Sequence, residues 1–127
     1  MLRSITKQLN ELLPSADLIE RRIINSIKIE RIDICDVWQK QNIVINKFIK
    51  SQNINLKNPL IIQQEKELKQ ILEKQWDLLD ISYDEKKNKK ERMKSAFEAQ
   101  LLNVNRIKCK NRISEIIGQP LDQRTYS

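Results

Sequence analysis

The sequence predicts an all-α fold, an elongated antiparallel helical hairpin of coiled-coil type preceded by a short helix. Three observations point there. Residues 59–117 form one helical reading frame with no Gly or Pro inside it. Residues 16–50 repeat apolar side chains at alternating spacings of four and three, the 3.5-residue period of a coiled-coil seam. The 127 residues contain one Gly and three Pro, and 39% are apolar against 32% charged, a balance between ordinary globular chains and long helices. With few aromatics, such a chain buries a long thin seam more readily than a thick core. Its length allows a single domain, residues 1–127.

Residues 2–13 place Leu2, Ile5, Leu9, Leu12 and Leu13 on one stripe and read as a short helix. Pro14 ends it, because the residue before Pro is pushed out of the helical region. Ser15 is then an N-cap, with Asp17 and Glu20 in the first turn where the helix dipole favours acids. The first arm runs from about 16 to 50. Its seam is Ile23, Ile27, Glu30, Ile34, Val37, Gln41, Val44 and Phe48, with Glu30 and Gln41 as polar interruptions. A second stripe (Ile24, Cys35, Trp38, Ile45, Ile49) widens the face toward more than one neighbour. Strand competes only at 27–34, where apolar and polar residues alternate, but no Gly or Asn-Gly turn flanks that stretch.

Residues 51–58 form the one convincing loop, since three Asn in Ser-Gln-Asn-Ile-Asn-Leu-Lys-Asn compete with helix through side-chain bonding to the backbone. The second arm, 59–117, opens at Asn58-Pro59 and stops at Gly118-Gln119-Pro120, good start and stop signals. A tail, 118–127, follows. At a rise of ~1.5 Å per residue the arm would be roughly 85–90 Å long. Its first part carries the seam Ile61, Leu68, Leu72, Trp76, Leu79 and Tyr83. Residues 84–92 contain nothing apolar, and the seam resumes through Met93, Phe97, Leu101, Val104, Ile107, Ile113, Ile116 and Ile117. The polar waist admits a continuous solvated rod or a bend into a third helix that folds back. Good helix formers and the absence of a breaker favour the rod. The expected hairpin core is Ile23, Ile27, Ile34, Val37, Trp38 and Phe48 against Leu68, Leu72, Trp76 and Leu79, with both tryptophans packed between the arms.

No catalytic constellation is present. The chain has no His, no Gly-rich phosphate loop, no G-x-S-x-G and no H-E-x-x-H. The pairs Asp33/Asp36 and Asp77/Asp80 read as solvated helix faces. An enzyme is not expected, nor a cofactor. Cys35 and Cys109 lack C-x-x-C spacing, and a zinc site needs about four ligands. They read as reduced packing residues, with a disulfide between two helices as the alternative. No apolar stretch is long enough to span a membrane. The expected location is cytoplasmic. The basic, amphipathic start Met1–Lys7 leaves a mitochondrial presequence as the alternative.

The net charge of +7 is uneven: residues 1–83 carry +2 and residues 84–127 carry +5. Lys86, Lys87, Lys89, Lys90, Arg92 and Lys94 form one cluster, and Arg106, Lys108, Lys110 and Arg112 a second. The bland reading of the first is a solubilising face. The functional reading of both is a docking surface for a protein partner with an acidic surface. Nucleic acid and membrane are disfavoured, because no aromatic is interleaved for base stacking and no apolar face adjoins for lipid insertion.

In length, basic balance, hairpin pattern and the basic, apolar-punctuated stretch from Asn105 to Ile117 (N-R-I-K-C-K-N-R-I-S-E-I-I), residues 16–117 resemble the small stalk proteins of flagellar and type III secretion export ATPases, the FliJ/SctO group. The resemblance implies a hairpin inserted into the centre of a hexameric ATPase ring and touching export-gate components. The basic residues between Lys86 and Arg112 would then face acidic ring or gate surfaces, as part of a larger complex. The pattern also looks like the FlgN/FliT-type export chaperones, which hold an unfolded client segment in an apolar groove between helices. A small accessory subunit of a mitochondrial complex is a third reading. All three are non-enzymatic assembly or interaction proteins.

Overall fold

The computed structural model describes residues 15–32 and 36–119. They form four helices, α1 (Ser15–Arg31), α2 (Asp36–Ser51), α3 (Pro59–Tyr83) and α4 (Lys89–Ile117), with no strand among the described residues. The fold is all-α, as the sequence predicts. The short helix expected at 2–13, the tail from 120, and Ile34 and Cys35 lie outside the described residues.

Each expected arm is two helices, which corrects the continuous 59–117 rod and the single 16–50 arm. At the waist, α3 stops at Tyr83 and Asp84 adopts extended backbone. The Asp84 carboxylate accepts from the Lys86 amide at 3.0 Å, and Asn88 caps the new helix by accepting from the Glu91 amide at 2.8 Å. Asp and Asn thus offer the backbone local bonds that compete with helix, so no Gly or Pro is needed for the reversal. Folding back also lets two half-seams bury one another where a straight rod would leave both wet. The antiparallel register is marked by three contacts. Arg92 Nε donates to the Ser82 carbonyl (3.0 Å), Gln75 Nε2 to the Ala99 carbonyl (3.0 Å), and Arg112 reaches Glu67 (3.4 Å). Small, buried Ser95 and Ala99 lie on the α3 side of α4.

α1 and α2 form a second antiparallel hairpin. Asn25 Nδ2 donates to Gln41 Oε1 (2.7 Å) and Asn42 Oδ1 (3.0 Å), and Lys28 sits 5.4 Å from the Trp38 ring centre. The two apolar stripes of the 16–50 segment explain the break. A straight helix could cover only one of them against α3, whereas a hairpin buries both. The alternating stretch is helical through Arg31, which removes the strand reading there.

α1 joins the two hairpins, because it touches α2, α3 and α4. It runs parallel to α3, with Arg22–Glu65 at 2.5 Å, Lys69–Glu30 at 2.8 Å and Arg31–Asp77 at 2.7 Å. It runs antiparallel to α4, where Gln119 Nε2 donates to Ser15 Oγ (2.8 Å) and the Ser15 amide donates to Gln119 Oε1 (3.0 Å). One core gathers Leu18, Ile19, Ile23 and Ile27 of α1, Ile45, Phe48 and Ile49 of α2, Leu68 and Leu72 of α3, and Cys109 and Ile113 of α4. The expected terminators hold. Asn58 accepts from the Leu60 amide (2.9 Å) ahead of Pro59, and Gly118 closes α4 in the left-handed region at φ 75°.

Of the expected hairpin core, Ile23, Ile27, Phe48, Leu68 and Leu72 are buried, and Trp76 packs partly against them. Val37 (71% exposed) and Leu79 (40%) are corrections. Val37 stands in the first turn of α2, and Leu79 lies past Asp77, which pairs with the last residue of α1. Trp76 packs against this core, as expected, and also lies under Arg31 of α1, whereas Trp38, expected beside it, meets Lys28 of α1. Replacing Leu68, fully buried, with Ala is expected to cost ~2–5 kcal/mol in urea unfolding. Val37→Ala should change stability by less than ~0.5 kcal/mol; the expected straight-arm core would make both costly.

Candidate interaction surface at the tip of the long hairpin

The tip is where α3 turns into α4, and local physics does not favour its charge. Lys89 and Lys90 open α4, beside the positive end of its macrodipole, where a cation is destabilising by ~0.3–1 kcal/mol. Lys86, Lys87, Lys89, Lys90 and Lys94 are all exposed, and none forms an ion pair among the described residues. A residue choice that opposes helix stability and has no ion pair among the described residues makes the tip a candidate interaction surface. Arg92 is the exception, since its donation to the Ser82 carbonyl ties the two helices together.

The second basic set divides. Lys110 is only 3% exposed, and its ammonium contacts Asp17 and lies 3.5 Å from Glu20. Arg106 lies 3.5 Å from the same Glu20. Both cations therefore belong to the α1–α4 interface and are not offered to a partner. Arg112 reaches Glu67 and Gln64. Lys108 is exposed and forms no ion pair among the described residues. Of the ten basic residues that the sequence groups together, the tip lysines and Lys108 are exposed without an ion pair among the described residues.

Beside the tip lysines the structure exposes large apolar side chains that the sequence pattern placed in a buried seam. Met93 (63%), Phe97 (61%) and Leu101 (55%) follow one another every four residues on α4, and Tyr83 is open at the end of α3. The buried face of α4 is set by Ser95, Ala99, Cys109 and Ile113, so the Met93–Leu101 stripe faces away from α3. On the α1 side, Ile24, Ile27, Leu72, Trp76, Leu79 and Tyr83 line a groove of about 310 Å³, with Gln75 and Asp80 as its polar members. α1 ends there, so the core-facing side of α3 continues uncovered. The sequence carries one signal for this: the small residues Ser95 and Ala99 mark the helix–helix contact, and they are out of phase with Met93 and Phe97.

Titratable groups inside the body are structural. Burial holds the Glu65 carboxyl above its ordinary value, with Arg22 only partly opposing. Burial and neighbouring Glu67 likewise push the Cys109 thiol up, which keeps it protonated and unreactive at neutral pH. Cys109 is free, so the disulfide alternative does not apply to it. Among the described residues no group of His, Cys, Asp and Glu could hold a metal ion, and no helix is long and apolar enough to cross a membrane. No protein-family model, curated protein or solved structure matches this chain.

Lys110→Ala removes the cation that Asp17 contacts, leaves Glu20 with Arg106 alone, and should lower unfolding free energy by ~3 kcal/mol. Lys90→Ala should leave it within ~0.5 kcal/mol. Because the folded state favours protonated Glu65, the stability this group adds is present below its ordinary titration range. It is lost as pH rises through the raised one. Urea midpoints measured across that acidic window should fall less with rising pH in Glu65→Gln than in the wild type.

Proposed function

We propose that the protein is a non-enzymatic helical interaction protein that binds a protein partner with an acidic surface through the tip of α3/α4, as one part of a larger assembly. One observation carries this reading: lysines with no ion pair among the described residues and large exposed apolar side chains share the tip of the α3/α4 hairpin. Farther along α4, Arg106, Lys110 and Arg112 are spent on internal pairs.

Protein export is the setting the resemblance supplies, and the geometry favours one form of it. A stalk relies on reach. With both arms folded back, the longest helix has 29 residues, a span of ~43 Å. The apolar groove between α1 and α3 supports the chaperone-type reading, in which a client segment lies between helices. The location consistent with it is cytoplasmic. A mitochondrial accessory subunit is the competing assignment.

Affinity capture with mass spectrometry tests the proposal, comparing wild type with a Lys86→Glu, Lys89→Glu, Lys90→Glu variant. Recovery of an export client or export ATPase by the wild type, reduced about tenfold in the variant and by 0.5 M salt, is the expected outcome. Equal capture by both proteins, or respiratory-chain subunits as the captured species, would contradict it.

A further inference from the structure

We propose that the outer face of α4 seats an acidic amphipathic helix of the partner; this rests on the tip-binding reading and specifies its chemistry. Met93, Phe97 and Leu101 repeat every four residues, so they form a single line ~12 Å long on one side of the helix. Lys90 and Lys94 lie three or four residues from Met93 and Phe97, and Lys108 lies seven from Leu101. These spacings place the cations on the same side, at both ends of the apolar line. Glu91 and Glu98 sit around the flank, beside Leu78 and Ile81 of α3, and Lys94 stands at the border between that flank and the apolar row. The face is therefore apolar in its middle and positive at its two ends.

That charge pattern selects the occupant. A second copy of this chain docked antiparallel would set Lys90 and Lys94 against Lys108 and Arg112, and a parallel copy would set each lysine against itself. Either arrangement opposes like charges over a small apolar contact, which works against self-association. A lipid surface calls for a broad apolar face, typically ≳ 100° wide, sunk into the headgroup boundary. Here three side chains stand in one narrow row, and the neighbouring flank carries Glu91 and Glu98 as well as lysines. A helix with apolar residues at i, i+4 and i+7 and with Asp or Glu at both ends matches the row and its charges. It need be only about 20 residues long to span Lys90 to Lys108.

Fluorescence anisotropy with two labelled helical peptides of about 20 residues tests this directly. Both carry the same Leu stripe; one has Glu and the other Lys at its flanks. The Glu peptide is expected to bind at least about tenfold more tightly. Phe97→Asp, and separately Lys90→Glu with Lys94→Glu, should each weaken it by about tenfold or more. Phe97 and the two lysines are exposed, so circular dichroism should show an unchanged fold. Equal binding of the two peptides, indifference to Phe97→Asp, or binding to phosphatidylserine vesicles but to neither peptide would overturn the assignment. If it alone is wrong, the triple Lys→Glu tip variant still loses the captured partner. If the tip reading is wrong, capture does not change either.

Discussion

The burial of α1 is the constraint on which the remaining structure depends. Its buried residues extend around more than half of the helix: Ala16, Ile19, Glu20, Ile23 and Ile27 on one side, Leu18 and Asn25 on another, and Ser15 between. A helix can be covered on that many sides only if several neighbours converge on it. The two chain reversals bring α2, α3 and α4 to it. Where α1 ends, at Arg31, cover of α3 ends as well and Leu79 and Tyr83 stand open, while the Met93–Leu101 row is open because it faces away from α3. The projecting tip is thus a consequence of helix length: α3 and α4, with 25 and 29 residues, outrun the 17 residues of α1.

Apolar burial sets which faces meet, and a charged cluster sets their alignment. Lys110, Asp17, Glu20 and Arg106 sit where α1 crosses α4. At 3.5 Å, Arg106 Nε and Glu20 Oε2 compensate charge without a hydrogen bond, and neither atom has another such partner. Buried ion pairs contribute little net stability compared with apolar packing, yet breaking one is costly. The cluster therefore acts as a registration device, because a shift of α1 by one turn would leave buried Lys110 with one of its two acids. Asn25, fully buried and bonded to Gln41 and Asn42, fixes α2 against α1 in the same manner.

Helix content, the 51–58 loop and the terminators Asn58-Pro59 and Gly118 were legible in the sequence because each rests on local backbone chemistry. So was much of the core, from Ile23 to Leu72, because period alone identifies it. The two bends were not. The waist has Asp84 and Asn88 where breakers would ordinarily be sought, and weak local caps win only because folding back buries both halves of the seam. That gain is a tertiary term, invisible to a window of residues. The same blindness misplaced Leu79, Met93, Phe97 and Leu101, which fit a seam period but lie beyond α1 or on the wrong side of α4. The basic surface was half legible: charge density marked the tip, while nothing in the spacing of Arg106 and Lys110 announced acids waiting on α1.

The fold-back at residues 84–88 is the claim that most of this account needs, and a spin-label distance decides it. Labels at Gln63→Cys and Glu115→Cys, with Cys35 and Cys109 replaced by Ala, report the separation of two exposed sites on α3 and α4. A single population below about 25 Å is expected, since neighbouring antiparallel helices pack with axes ~8–10 Å apart. A continuous helix from 59 to 117 would place the same labels ~78 Å apart, and a population at that distance would contradict the structure and the binding tip built on it.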